Sequence, residues 1–157
     1  MRIDVRISDM KVSNQHGVIL TTHSLGSCLG LTAYDPRTRV AGLIHCLLPQ
    51  PTDKNKAEAN PFMFVTTGIP AMIRSMFALG ALRERLVLKA VGCGYTLNVP
   101  HPFNTGERNQ KALLRLLEFN GMSLAASDLG GAIPRTVRLY VDSGEVVIRS
   151  RGKEHFL

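Results

Sequence analysis

The chain has no apolar run approaching the ~18 to 20 residues that a membrane-crossing helix needs. Its first ten residues, MRIDVRISDM, alternate charge with apolarity instead of building the core of a signal peptide. A cytoplasmic protein without membrane insertion is therefore expected. Cysteine is scarce: Cys28, Cys46 and Cys93 form an odd set with no C-x-x-C pair, which argues against a disulfide framework and against a zinc knuckle. No metal site is expected, and at least one thiol is left free for chemistry. Aromatic residues make up 6% of the chain, and the 19 basic residues are dispersed instead of gathered in a tract. Nucleic-acid binding thus has only net charge behind it, with no stacking motif. Internal repeats, low-complexity segments and linkers are absent as well.

What is there is ordinary for a folded chain. Hydrophobic residues at 45% and charged residues at 20% exclude disorder and fibrous architectures. The 157 residues suit one domain, residues 1–157, and a domain of that length buries roughly 70% of its extended-chain surface. The net charge of +7 favours encounters with acidic surfaces of protein, nucleic acid or lipid, without choosing among them. A solvated basic face is the simpler account of it and needs no partner.

Residues 17–22, GVILTT, read as a β-rich run, and a second run, 28–34, follows a short Ser-Leu-Gly-Ser link. Asp35-Pro36-Arg37-Thr38 is a turn signal, because Asp bonds its own backbone and Pro presets φ, and it leads into a third run, 40–48. The order predicts a meander. Three prolines between Pro49 and Pro61 predict an exposed loop long enough to move over a site. Val65, Ile69, Met72, Ile73, Met76 and Phe77 are spaced as one helix face that stops at Gly80, with Pro70 either starting or kinking the helix. A strand over 86–91, an irregular loop over 92–106, a helix marked by Leu113, Leu114, Leu116 and Leu117 and a closing hairpin around Asp142-Ser143-Gly144 complete the order. The fold class expected is α+β.

The chemistry concentrates in Thr22-His23-Ser24-Leu25-Gly26-Ser27-Cys28, a turn of small residues that delivers a cysteine to the start of a strand. Gly26 permits close backbone approach, and amides near Ser27 and Cys28 can face the sulfur, where an oxyanion needs donors. A thiol needs a base to act at neutral pH, and histidine, with a pKa near ~6.5, is the usual one. His45 is the best placed: strand alternation puts it on one face with Leu43 and Leu47, and Ile44, Cys46 and Leu48 on the other. His16, His23, His101 and His155 fall in expected turns, loops or the tail. A buried cysteine is commonly inert packing and a histidine on an apolar strand is commonly a core residue, so spacing alone leaves both readings open.

The runs GVILTTHSLGSC and DPRTRVAGLIHCLLP resemble the chemoreceptor glutamine deamidases of bacterial chemotaxis, the CheD family. The likeness continues in Thr105-Gly106-Glu107-Arg108-Asn109, in Asp128-Leu129-Gly130-Gly131 followed by Arg135, and in Ser143-Gly144, covering nearly the whole chain. It implies a catalytic set of Cys28 as nucleophile, His45 as acid/base and Thr22 as the group that orients His45, with Gly26 and Ser27 at the oxyanion and substrate. It implies no organic cofactor and no metal, chemoreceptors as substrate, and a chemotaxis phosphatase of the CheC type as partner. The implied architecture is α+β, with mixed β-sheets packed on each other and helices on the outside, as in other cysteine deamidases and some deamidating toxins. Where the family carries a Gly-Gly-Ala-x-Met-Phe type of segment, this chain has Gly92-Cys93-Gly94-Tyr95-Thr96-Leu97. Gly94 and Tyr95 are therefore candidates for the rim of the site, where substrates are chosen.

The competing reading from another class is an interaction module that binds a chemotaxis phosphatase or receptor with little catalysis. Retention of Cys28, His45 and Thr22 together argues against it, since a pure binder has no chemical need for all three.

Overall fold

The computed structural model describes residues 1–95 and 104–157. Ten strands are found among them: β1 (Arg2–Asp4), β2 (Asp9–Ser13), β3 (Ile19–Leu25), β4 (Leu29–Asp35), β5 (Val40–Cys46), β6 (Val87–Gly92), β7 (Ala126–Leu129), β8 (Arg135–Tyr140), β9 (Val146–Ser150) and β10 (Lys153–Phe156). The helices are α1 (Lys54–Ala59), α2 (Val65–Ala78) and α3 (Thr105–Phe119). One sheet has the order β1-β3-β8-β9-β10 and the other β2-β5-β4-β6-β7. Each is mixed: β1 runs parallel to β3 and β6 to β7, while the remaining pairs are antiparallel.

The second sheet is the middle layer. Every residue of β4 and β5 is buried, which explains why both read as continuous apolar runs. One face, with Leu43, Ala41, Tyr34 and Val91, packs on Leu20, Val137, Leu139 and Ile148 of the first sheet. The other, with Leu31, Ile44, Ala90 and Leu88, packs on Val65, Ile69, Met72 and Met76 of α2 and on Leu113 and Leu117 of α3. Each fully buried side chain on α2 contributes roughly 1.5 to 3 kcal/mol. The helix comes in close because β5 carries Gly42, where a Cβ would sit 2.9 Å from the Met76 sulfur. The α+β class is what the order of elements predicts, and the packed mixed sheets with helices outside are what the resemblance implies.

Both helix stops fall at the expected residues. Gly80 and Gly121 take positive φ, and the amides of Ala81 and Met122 return to the carbonyls of Met76 and Leu117, closing each helix with the paired bonds of a Schellman end. Pro70 lies inside α2 instead of starting it.

Four features depart from the sequence reading. The run 17–22 and the run 28–34 do not form a meander: β3 belongs to one sheet and β4 to the other. The pairing of β3 with β8 slips between Thr22 and Leu25, which face Val137 and Arg135, so β3 carries one extra residue there, and Ser24 takes a left-handed φ of 57°. Both Thr22 and Leu25 consequently point inward, and the chain leaves the first sheet at Leu25 and enters the second at Leu29. The segment 49–61 is not an open loop: Asp53 caps α1, and Leu47 and Leu48 both donate to the Met63 carbonyl. Helix α3 begins at Thr105, two turns before the leucines that mark it. Strands β1, β2, β7 and β10 were not expected: β1 and β2 do alternate polar with apolar residues but are only three and five residues long, β7 and β10 show no alternation, and no residue of the four is fully buried. Of the irregular segment 92–106, residues 96–103, including Thr96, Leu97 and His101, lie outside the described residues.

Candidate active site

Strand register puts the three expected side chains together. Gly30 of β4 pairs with His45 of β5, so Cys28, two residues before Gly30, lies on the His45 face as its diagonal neighbour. That face looks toward the first sheet, where Thr22 projects inward from β3. The Thr22 hydroxyl donates to the Val5 carbonyl at 2.7 Å and lies 2.7 Å from His45 Nδ1. A threonine has one hydroxyl hydrogen, and it is spent on Val5. The His45 Nδ1–H therefore donates to Thr22, and Nε2 is left as the unprotonated nitrogen. That Nε2 is buried and, among the described residues, has no hydrogen-bond partner.

Burial sets the resting protonation. It lowers the His45 pKa to about 4 and raises that of the Cys28 thiol, so both are neutral at pH 7. A neutral thiol on the same sheet face as an imidazole with a free lone pair suits proton transfer at the moment of attack. Cys28 keeps 7% of its surface exposed against 1% for His45, so Cys28 is the more accessible residue of the pair.

The nucleophile turn is tied down from three sides. Cys93 N–H donates to the Cys28 carbonyl and Gly94 N–H to the Gly26 carbonyl, each at 2.8 Å. Gly92 makes this contact possible, since a Cβ there would lie 2.4 Å from the Cys28 oxygen. Asn109 of α3 donates from Nδ2 to the Ser27 carbonyl at 3.0 Å and to the Leu47 carbonyl at 3.2 Å. Arg135 donates to the Gly92 carbonyl at 3.2 Å and pairs with Asp128 at 3.3 Å. Among the described residues no carbonyl accepts from the amides of Ser27 or Cys28, leaving those donors for a substrate oxygen.

The remaining candidates sort by position. Gly94 lies against the nucleophile turn, and Tyr95, 46% exposed, donates its amide to the Gly131 carbonyl. Cys46 and Cys93 belong to the helix-side core, and burial pushes their thiols up, that of Cys93 to about 12. His23 and His155 lie on β3 and β10, not in a loop or tail, and face Asp4 and Asp128. His16 pairs with Asp142. Sequence reasoning missed the parts of Asn109 and Arg135. The available signal for Asn109 was its place on the helix face of Gly106, Leu113 and Leu117, where an apolar residue is expected.

Among the described residues, no three His, Cys, Asp or Glu side chains converge as a metal site, and no helix is long and apolar enough to cross a membrane.

The family described as CheD chemotactic sensory transduction matches residues 47–150. A protein of Solibacter usitatus named "Probable chemoreceptor glutamine deamidase CheD" is 37% identical over 154 residues, 98% of this chain and 91% of its own. One of the same name from Thermococcus kodakarensis is 38% identical over 157 residues, 98% and 96% of the two chains. "Probable chemoreceptor glutamine deamidase CheD 2" of Anaeromyxobacter dehalogenans is 38% identical over 149 residues, 94% of each. The family match begins beyond His45, but alignments of this extent take in the segment from Thr22 to His45.

Proposed function

This chain belongs to the CheD family, and we propose that it hydrolyses the side-chain carboxamide of specific chemoreceptor glutamines to glutamate, as a protein-glutamine glutaminase with Cys28 as nucleophile. The observation that carries the mechanism is the placement of Thr22 Oγ1 2.7 Å from both the Val5 carbonyl and His45 Nδ1, from which the tautomer with Nδ1–H on Thr22 and a lone pair on buried Nε2 follows.

The steps follow from that geometry. His45 Nε2 takes the Cys28 proton as the sulfur attacks the carboxamide carbon, forming the C–S bond and moving the carbonyl electron pair to oxygen. The Cys28 amide, joined by that of Ser27 beside Gly26, donates to the oxyanion. His45 Nε2–H then protonates the amide nitrogen, the C–N bond breaks, and ammonia leaves a thioester on Cys28. Water gives up a proton to His45 as its oxygen attacks the thioester carbon. The C–S bond breaks, the sulfur recovers the proton, and glutamate is released. Thr22 holds the ring in one orientation throughout, the part a third group plays in other triads.

One catalytic domain, residues 1–157, acts in the cytoplasm on receptor signalling regions, and a CheC-type chemotaxis phosphatase is a partner. The Gly94–Tyr95 segment beside the nucleophile turn contributes to substrate choice. The +7 charge favours approach to acidic receptor surfaces. The test is peptide mass spectrometry of receptor cytoplasmic fragments after incubation with the wild-type chain or with Cys28→Ala. Conversion of particular glutamines by the wild type alone supports the reading, and equal conversion by both chains rejects it.

A further inference from the structure

Asn109 is fully buried, yet among the described residues the side-chain oxygen of its amide has no hydrogen-bond partner. An unsatisfied buried acceptor costs about 1 to 3 kcal/mol, so the residue is a poor choice for stability alone. What it gains is the use of both Nδ2 hydrogens, one on the Ser27 carbonyl and one on the Leu47 carbonyl. Leu47 follows His45 by two residues, and Ser27 immediately precedes Cys28. The fold brings Asn109 here at further expense. Gly106, one turn earlier on α3, lies so close to the 93–94 segment that a Cβ would be 2.2 Å from the Gly94 carbonyl oxygen.

We infer that Asn109 is a positioning residue for the deamidation reaction, setting the Ser27–Cys28 peptide so that the Cys28 N–H faces the oxyanion. In a trans peptide the carbonyl and the N–H point in opposite directions. Fixing the Ser27 carbonyl on α3 therefore turns the Cys28 amide away from α3, and no carbonyl among the described residues takes it up. The same side chain ties this peptide to the end of the strand that carries His45, so donor, nucleophile and base move as one unit. The inference rests on the deamidase reading and adds to it a residue that touches no reacting atom.

The test separates the oxyanion donor from the thiol. Alkylation of Cys28 by a small haloacetamide needs the sulfur but forms no oxyanion, whereas deamidation needs both. Asn109→Ala and Asn109→Asp each remove both donors and are assayed below their own melting transitions. The expected result is a loss in kcat on the order of 100-fold, as for removal of an oxyanion donor, with KM and the pH profile of Cys28 alkylation unchanged. Unchanged kcat, or equal losses in kcat and alkylation, overturns the inference. If neither variant folds, the wild type decides: a glutamine-derived peptide aldehyde forms a thiohemiacetal on Cys28, and the Cys28 amide proton then shifts downfield. An unmoved Cys28 amide resonance overturns the inference. A wild type that deamidates nothing defeats the deamidase reading, whereas an undiminished Asn109→Ala defeats this inference alone.

Discussion

The hydroxyl of Thr22, on β3 of the outer sheet, lies 2.7 Å from Nδ1 of His45, on β5 of the middle sheet. This contact joins the two layers at the nucleophile and selects one of two imidazole tautomers. Its dependence on the Val5 carbonyl matters equally, because only a hydroxyl already spent as a donor is left as an acceptor alone.

Thr22→Val keeps the shape and removes the hydroxyl. His45 is then free to place its proton on either nitrogen, and Val5 loses a donor. We expect kcat to fall about 10- to 100-fold, the range for loss of a group that orients a functional histidine, with KM little changed. Thr22→Ser retains most of the activity. Steady-state deamidation assays of the three chains check this.

The pH profile of deamidation should betray the burial of His45. An unperturbed histidine with a pKa of ~6.5 is about three-quarters protonated at pH 6. With its pKa lowered to about 4, His45 remains an effective base there. The acid limb of kcat/KM is expected well below pH 6, so rates at pH 6 and pH 7 differ little. A limb centred near 6.5 would show that the imidazole is not desolvated in the working enzyme.

The same shift enters stability with a definite sign. The unfolded chain binds a proton on this histidine below ~6.5 and the folded chain only near 4, so the contribution is present above ~6.5 and is lost as pH falls toward 4. Between pH 7 and pH 5 the loss is about 2 kcal/mol. Denaturant titrations at the two pH values should show it, and His45→Leu should remove that part of the slope.

Asp35 is expected to matter for stability and not for catalysis. Its carboxylate is fully buried, accepts from Arg85 Nε and from the amides of Leu82, Arg37 and Thr38, and is held well below the usual carboxylate pKa, chiefly by Arg85. This contribution is present above the unfolded value of ~3.9 and is lost below it, a window separate from that of His45. Asp35→Asn should cost about 3 kcal/mol, the lower end for a broken buried pair because Arg85 is a quarter exposed. Asp35 stands at the other end of β4, about 20 Å from Cys28, so kcat and KM should hold below the melting transition. Thermal melts and rates on the same preparation check both halves.

Much of this was legible in the sequence because the relevant elements are buried. The alternation around His45 named the correct face, and the Asp35-Pro36 turn named the correct strand pair. The crossing from β3 to β4 was not legible: a link of four residues reads as a hairpin, and only the bulge at Ser24 shows that the chain changes sheets. The edge strand β2 does alternate, with Met10 and Val12 packed against the helix-side core between Asp9, Lys11 and Ser13, but the run is only five residues long and its signal was missed. Thr22 came from resemblance, since a threonine in a β-rich run has no local mark of function; its meaning lies in Val5 and His45, seventeen residues before it and twenty-three after. Asn109 falls within a motif shared with the family, but its role depends on two carbonyls far away in the chain.

The central claim, a thioester on Cys28, is tested most directly by hydroxylamine partitioning on a receptor glutamine substrate. Hydroxylamine intercepts an acyl-enzyme and converts the glutamine to its γ-hydroxamate in place of glutamate. The account predicts that the hydroxamate share rises with hydroxylamine concentration in the wild type, and that neither product forms with Cys28→Ala. Glutamate alone at every hydroxylamine concentration, together with undiminished turnover by Cys28→Ala, would contradict it.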